Sequence, residues 1–184
     1  MKWHIMKNSH VIYYKTTYKS PLGELTIASN ADNITGVWLE GQKNFEASIK
    51  NNTILKNNNL KVFIQTKEWL NRYFNKERPE ISEIPMAPTG TPFQLDVWNI
   101  LCKIPYGKTV TYKEIAEVIA SKYNKKSMSA QAIGGAVGHN PIAIIIPCHR
   151  VIGSNGKLTG YTGGLNNKIK LLTLENEEYK QLSL

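Results

Sequence analysis

The sequence predicts an α+β protein of two domains. The first third is rich in strand-forming residues and punctuated by turns. A proline-rich, aperiodic stretch, "NKERPEISEIPMAPTGTPFQ", then interrupts the pattern. Beyond it the order is helix, turn, helix and a ribbon, the pattern of a winged helix-turn-helix. The break places a domain boundary near Met86 to Gly90, giving domains 1–87 and 88–184.

Taken in order, "VIYYKTTYKS" is β-branched and aromatic, "SPLG" (Ser20 to Gly23) is a turn and "ELTIAS" alternates. "NADN" turns again before "ITGVWLE", so these segments form a small antiparallel meander. "NNTILKNNN" reads as an Asn-rich surface stretch. Between Leu60 and Phe74, residues Val62, Phe63, Trp69, Leu70 and Tyr73 fall on one helical face. In the second domain Thr91-Pro92 caps a helix carrying Phe93, Val97, Ile100 and Leu101. "IPYGKTV" ends it, and Thr111 with Glu114 forms a capping box for "YKEIAEVIA". Ser127 or Ser129 starts a third helix through "AQAIGGAVG", in the recognition position. "IAIIIP" reads as a buried strand, "VIGSNGKLTGY" as a hairpin-like segment turning at Asn155-Gly156, and "LNNKIKLLTLENE" as a last helix.

Composition narrows the function classes. The chain has 184 residues, of which 41% are hydrophobic, enough for a real core. No apolar run is long enough to span a membrane, and "MKWHIMKNSH" lacks a signal-peptide core, so a cytoplasmic location is expected. Cys102 and Cys148 are read as free thiols, and the histidines lack metal-ligand spacing, so no metal and no cofactor are expected. Net charge is +9, favouring a polyanionic partner. The excess is +4 over residues 1–87 and +5 over 88–184, so charge does not say which half meets that partner.

Chemistry points to "IAIIIPCHRV". Alone, Cys148 could be a small buried residue. Its neighbours His149 and Arg150 are costly to bury unpartnered, which argues for a lined site at the strand end. Pro147 ends strand pairing there. Cationic neighbours would lower the thiol's pKa and supply the nucleophilic thiolate. Cys102, on the "FQLDVWNILC" helix, is expected to be buried and inert.

"PCHRV" (Pro147 to Val151) resembles the active-site signature of the O6-alkylguanine-DNA alkyltransferases, the methylated-DNA–protein-cysteine methyltransferases. "TPFQLDVWNILCKIPYGKTVTYKEIA", "AIGGAVGHNPIAIIIPCHRVIGSNGKLTGYTGGL" and "KIKLLTLE" resemble the same family in the same order, over about residues 88–175, with weaker likeness in "SPLGELTIAS". The resemblance implies a ribonuclease-H-like α/β first domain supporting the winged-helix domain. It implies irreversible, single-turnover transfer of a methyl or other alkyl group from O6 of guanine, or O4 of thymine, to Cys148. By the same resemblance His149 is the base acting through water, Glu175 orients it, and Asn140 ties the turn before the active-site segment. Tyr112 crowds the phosphate beside the flipped nucleotide and donates toward the base. The Val151 carbonyl takes the guanine amino group, Tyr161 and Thr162 close over the base, and Lys168 is a weaker substrate contact. Arg150 takes a structural ion pair.

The implied partner is double-stranded DNA containing O6-alkylguanine, entered from the minor groove by a monomer that flips the base out of the stack. Small residues in "SAQAIGGAVG", among them Ala130, Ala132 and Gly134, suit close approach to DNA, although Gly134 and Gly135 would equally suit packing against the core. Where many members carry an arginine that fills the gap left by the flipped base, this chain has Gln131. Lys122, Lys125 and Lys126 would add phosphate contacts. Two other classes compete. A winged-helix module that binds alkylguanine without chemistry would lack the cysteine. A cysteine–histidine hydrolase needs direct contact between adjacent side chains, and leaves the helix-turn-helix pattern unexplained.

Overall fold

The computed structural model describes residues 12–50 and 52–182. Val11, expected to open the first strand, and the "MKWHIMKNSH" segment lie outside the described residues. The chain forms two compact units, 1–89 with 141–143, and 90–140 with 144–184.

In the first unit, β1 (Ile12–Ser20), β2 (Gly23–Ser29) and β3 (Ile34–Leu39) form the expected antiparallel meander. The β1–β2 register runs from Tyr14 opposite Ser29 to Ser20 opposite Gly23. The hairpin closes where Gly23 adopts φ +109, a conformation that glycine takes without a Cβ penalty. The Asn-rich stretch corrects the sequence reading: β4 (Thr53–Lys56) adds to β1 in parallel, giving the order β3-β2-β1-β4. At four mostly exposed residues, this strand has no alternating pattern to betray it. Helix α1 (Lys61–Phe74) buries the anticipated Val62, Phe63, Trp69, Leu70 and Tyr73, together with Thr66. The Val37 N–H donates to Pro141 O at 2.8 Å and Val37 O accepts from Ala143 N–H at 2.9 Å, which binds 141–143 into this unit.

The second unit is built on capped helices. Thr91 caps α2 (Pro92–Leu101): its hydroxyl accepts from Gln94 N–H at 3.3 Å, and Gln94 Oε1 accepts from Thr91 N–H at 2.8 Å. Val110–Thr111 forms β5, and Thr111 and Glu114 make the reciprocal box for α3 (Tyr112–Lys122). Ser129 caps α4 (Ala130–Gly138). Leu95, Val97, Trp98 and Leu101 of α2 pack with Ile115, Ile119, Ile133 and Val137 as a buried helical core. The Trp98 indole N–H donates to Ala136 O at 2.8 Å and ties α4 to α2. The last helix, α5, spans Leu165–Glu175.

Two expectations are revised here. Ile142 to Ile146 is fully buried but forms turns, not a strand, and Ile144 sits at φ 71. The apolar run reflects burial of the side chains: Ile142 makes an isolated parallel bridge with Val37, and no longer ladder follows. The hairpin-like segment does turn at Asn155-Gly156, closed by Gly153 N–H to Lys157 O at 2.8 Å, but its two arms form no strand ladder. Val151–Ile152, β6, pairs in parallel with β5, so the ribbon joins a segment 41 residues away in sequence, at the end of "IPYGKTV". Ser154–Gly156 is a short 3-10 turn.

Candidate active site

Pro147 (φ −82, ψ 64) is the centre of an inverse γ-turn, in which Cys148 N–H donates to Ile146 O at 2.8 Å. The chain then winds through a single 3-10 turn, Cys148–Arg150, whose side chains are all buried. Asn140, two residues past α4, spans the turn: Nδ2 lies 2.8 Å from Ile146 O and 3.1 Å from Cys148 Sγ, donating to both. One amide therefore shapes the turn and touches the sulfur.

Behind the thiol lies a buried charge network. His149 Nε2 meets Glu175 Oε1 at 2.7 Å, and Arg150 Nε and Nη2 donate to the same carboxylate at 2.9 and 3.0 Å. Arg150 Nη1 also donates to Ile104 O at 2.6 Å, and Gly107 N–H donates to Glu175 Oε2 at 3.1 Å. Gly107 adopts φ +72, and a Cβ there would lie 3.1 Å from Glu175 O. Glycine thus serves both the turn and the close approach. Burial alone would raise the Glu175 carboxyl, but the His149 and Arg150 charges and hydrogen bonds outweigh it and hold it well below the usual range. Glu175 is therefore an acceptor, Nε2 carries the hydrogen, and neutral His149 presents Nδ1 as its basic nitrogen. Burial and the Arg150 and Lys168 charges pull the imidazole pKa down, against Glu175.

The thiol itself departs from expectation. Burial pushes Cys148 above its ordinary pKa and outweighs the Asn140 hydrogen bond and the Lys168 charge that act the other way. The nearby cations do not leave a standing thiolate. Ionisation has to be coupled to proton removal. Cys102, partly buried, is pushed up to about 12 by burial, an unreactive state.

Around Cys148 lie several further residues singled out in the sequence. Tyr112, the first residue of α3, is half-buried, its phenol raised by burial and by Cys148 and lowered by the Thr159 hydroxyl. Tyr161 is raised well above the ordinary range by burial and by Cys148. The Tyr161 hydroxyl is buried with no hydrogen-bond partner among the described residues. A buried hydroxyl costs about 1–3 kcal/mol when its hydrogen bond is left unmade. Thr162 is half-buried, its methyl 3.9 Å from where a Cβ at Gly138 would stand. Lys168 is no solvated helix charge: it is fully buried and donates to Val151 O at 2.5 Å and Thr159 O at 2.8 Å.

The α4 residues stand apart from this cluster. Ala130, Gln131, Ala132 and Gly135 are exposed, and Gly134 is half-buried. A Cβ at Gly135 would meet nothing within 4 Å, and one at Gly134 would touch only the Tyr112 ring, at 3.8 Å. Internal packing does not require either glycine. Lys122 is committed to an ion pair with Asp96, which also accepts from Tyr123 OH, whereas Lys125 and Lys126 are exposed. Sequence reasoning missed Ile104, Gly107 and Thr159. Only the Pro-Tyr-Gly turn signal before Lys108 pointed toward one of them.

Among the described residues no three His, Cys, Asp or Glu side chains form a metal-ligand group, and no helix is long and apolar enough to cross a membrane. Residues 92–177 match the DNA-binding domain of 6-O-methylguanine DNA methyltransferase, and residues 13–88 match its ribonuclease-like domain. A methylated-DNA–protein-cysteine methyltransferase of Methanosarcina barkeri is 44% identical over 91% of this chain and 99% of its own. One of Haemophilus influenzae is 43% identical over 90% and 88%. The crystal structure of Mycobacterium tuberculosis OGT in complex with DNA superposes with a TM-score of 0.74 at 41% identity, covering 91% and 94%. With matched models along both units and relatives aligned almost end to end, the chain belongs to the 6-O-methylguanine DNA methyltransferase family.

Proposed function

We propose that this protein repairs double-stranded DNA by moving the alkyl group of O6-alkylguanine, in one irreversible turnover, onto its own Cys148. The observation that carries the reading is a buried thiol bound to Asn140 and followed directly by a histidine on a charge-compensated carboxylate, in a member of this family. The reaction breaks the alkyl carbon–O6 bond and forms a carbon–sulfur bond. The bonding electrons leave with guanine, which needs a proton to depart as a neutral base. His149 Nδ1 takes the thiol proton through water, Glu175 keeps the imidazole in the productive tautomer, and Asn140 steadies the developing thiolate. Tyr112 and the orphaned Tyr161 hydroxyl are the donors facing the base, and Thr162 closes over its O6 edge.

Because Cys148 is buried, the base must leave the stack to reach it. The exposed small-residue face of α4 supports entry from the minor groove, with Ala130, Ala132 and Gly134 against the backbone and Gln131 in the vacated stack. Residues 88–184 carry DNA binding and transfer, and residues 1–87 support them. The protein works as a monomer, without a cofactor, in the cytoplasm, where a reduced thiol persists. O4-alkylthymine is a second substrate. Incubation with a duplex containing O6-methylguanine should add one methylene per protein to the Cys148 peptide by mass spectrometry and restore guanine in equal amount. Tight binding with an unmodified peptide would reject the transfer.

A further inference from the structure

We infer that Lys168 is a positioning residue whose ammonium latches the 157–164 segment, bearing Tyr161 and Thr162, onto the Val151 strand beside Cys148. The inference rests on the transfer reading above and concerns how the pocket wall is held.

Lys168 is fully buried, and among the described residues no carboxylate pairs with it. A buried cation costs several kcal/mol unless repaid, and an apolar side chain of similar size would ordinarily serve stability better. The ammonium instead uses two of its three donors on the carbonyls of Val151 and Thr159. Those carbonyls belong to the two walls that must face each other: β6, directly after Cys148–Arg150, and the segment leading to Tyr161. The segment's ends are closed by backbone bonds, Gly153 N–H to Lys157 O at 2.8 Å and Gly164 N–H to Tyr161 O at 2.9 Å. Between those closures the Tyr161 hydroxyl finds no partner among the described residues. Gly153 shows how closely the segment lies on the strand end: a Cβ there would sit 3.0 Å from Lys157 O and 3.1 Å from Thr159 Cγ2. Lys168 therefore supplies the polar tie across the gap and acts through the wall, leaving the base to Tyr161 and Thr162.

Lys168→Met keeps the length and removes the donors, and Lys168→Arg keeps the charge. Three quantities decide the matter: amide hydrogen exchange, affinity for an O6-methylguanine duplex, and the single-turnover rate of methyl transfer. In Lys168→Met the 157–164 amides should exchange at least about tenfold faster while α2 and α3 keep wild-type exchange. Transfer should slow by at least about tenfold with duplex affinity within about twofold. Lys168→Arg should recover most of both. Wild-type exchange and rate in Lys168→Met would overturn the latch, as would faster exchange spread through α2 and α3. If the wild-type protein transfers no methyl group, the functional reading fails, and the exchange measurement still decides the latch.

Discussion

Glu175 holds a neutral histidine and a charged arginine on one buried carboxylate, and each side chain depends on the other two. Removing the negative charge by Glu175→Gln leaves the Arg150 guanidinium buried without its counter-ion. Breaking such a pair costs about 3–5 kcal/mol, to be read as a fall in the urea midpoint. It also frees His149 to choose either tautomer, so transfer should slow on the order of 10²–10⁴-fold. An Arg150→Met variant separates the two losses, since it removes the cation but keeps the His149–Glu175 contact. Protonation adds a second test. The His149 pKa is depressed on folding, so neutral base persists below its ordinary value of about 6.5, and the thiol pKa is raised. The transfer rate should stay level across roughly pH 6.5–8.5 and fall only on the acid side. The sign for stability is the same. The unfolded chain takes up the histidine proton more readily, so the contribution present above about pH 6.5 is lost as pH falls through the lower folded-state pKa. A rate that climbs steadily from pH 6 to 8 would instead mean a thiol ionising without His149.

Helix α4 shows the same residues judged by two masters. Gly135 is exposed mid-helix at a position where a Cβ meets nothing, so Gly135→Ala should raise stability by about 0.5–1 kcal/mol. If α4 lies against the minor groove, that methyl group should weaken duplex binding, giving opposite signs in denaturation and affinity measurements. Equal or tighter binding would remove α4 from the interface. Gln131→Ala should slow repair of a duplex while leaving stability nearly unchanged, since Gln131 is exposed and it is its backbone N–H that donates to the Ser129 hydroxyl. Capped elements were legible from sequence because their signals are local: Thr91 with Gln94, and Thr111 with Glu114, each carry their own partner three residues on. The misread elements depend on distant chain. β4 exists because β1 offers an edge, and β6 because Val110 and Thr111 lie beside it. The isoleucine run has a strand's composition yet only an isolated bridge from Ile142 to Val37, and Ile144 takes a φ that β-branched residues pay to adopt. For the site, motif residues identified Cys148, His149 and Glu175, but the balance between burial and cations at the thiol is a property of packing. No count of neighbouring charges in the sequence yields its sign.

At the scale of the molecule, the proposed transfer would consume the protein at each repair event and leave a larger residue where Cys148 was. The thiol is 4% exposed and touches Asn140 Nδ2, with the apolar side chains of Ile144 to Ile146 buried alongside in sequence. Methylation replaces the S–H, adds the volume of one methyl group and takes away the ability to become an anion. Overpacking of this order costs about 1–3 kcal/mol. The Asn140 amide, now facing a thioether, keeps its bond to Ile146 O but holds a poorer acceptor at sulfur. In a chain of this length each kcal/mol lowers the midpoint by roughly 2–4 °C, so the S-methylated protein should melt about 2–12 °C below the unmodified one. The loss should localise. Amides of 140–152 and α4, which share the Asn140 turn, should exchange faster, while the β1–β2 hairpin of the first unit keeps its protection. The control is Cys148→Ala, which removes reactivity without adding volume and should not produce the same spread of exchange into α4. An S-methylated protein that melts with the unmodified form, or one whose loss falls on the β1–β2 hairpin, would show that the close-packed thiol site tolerates the methyl group.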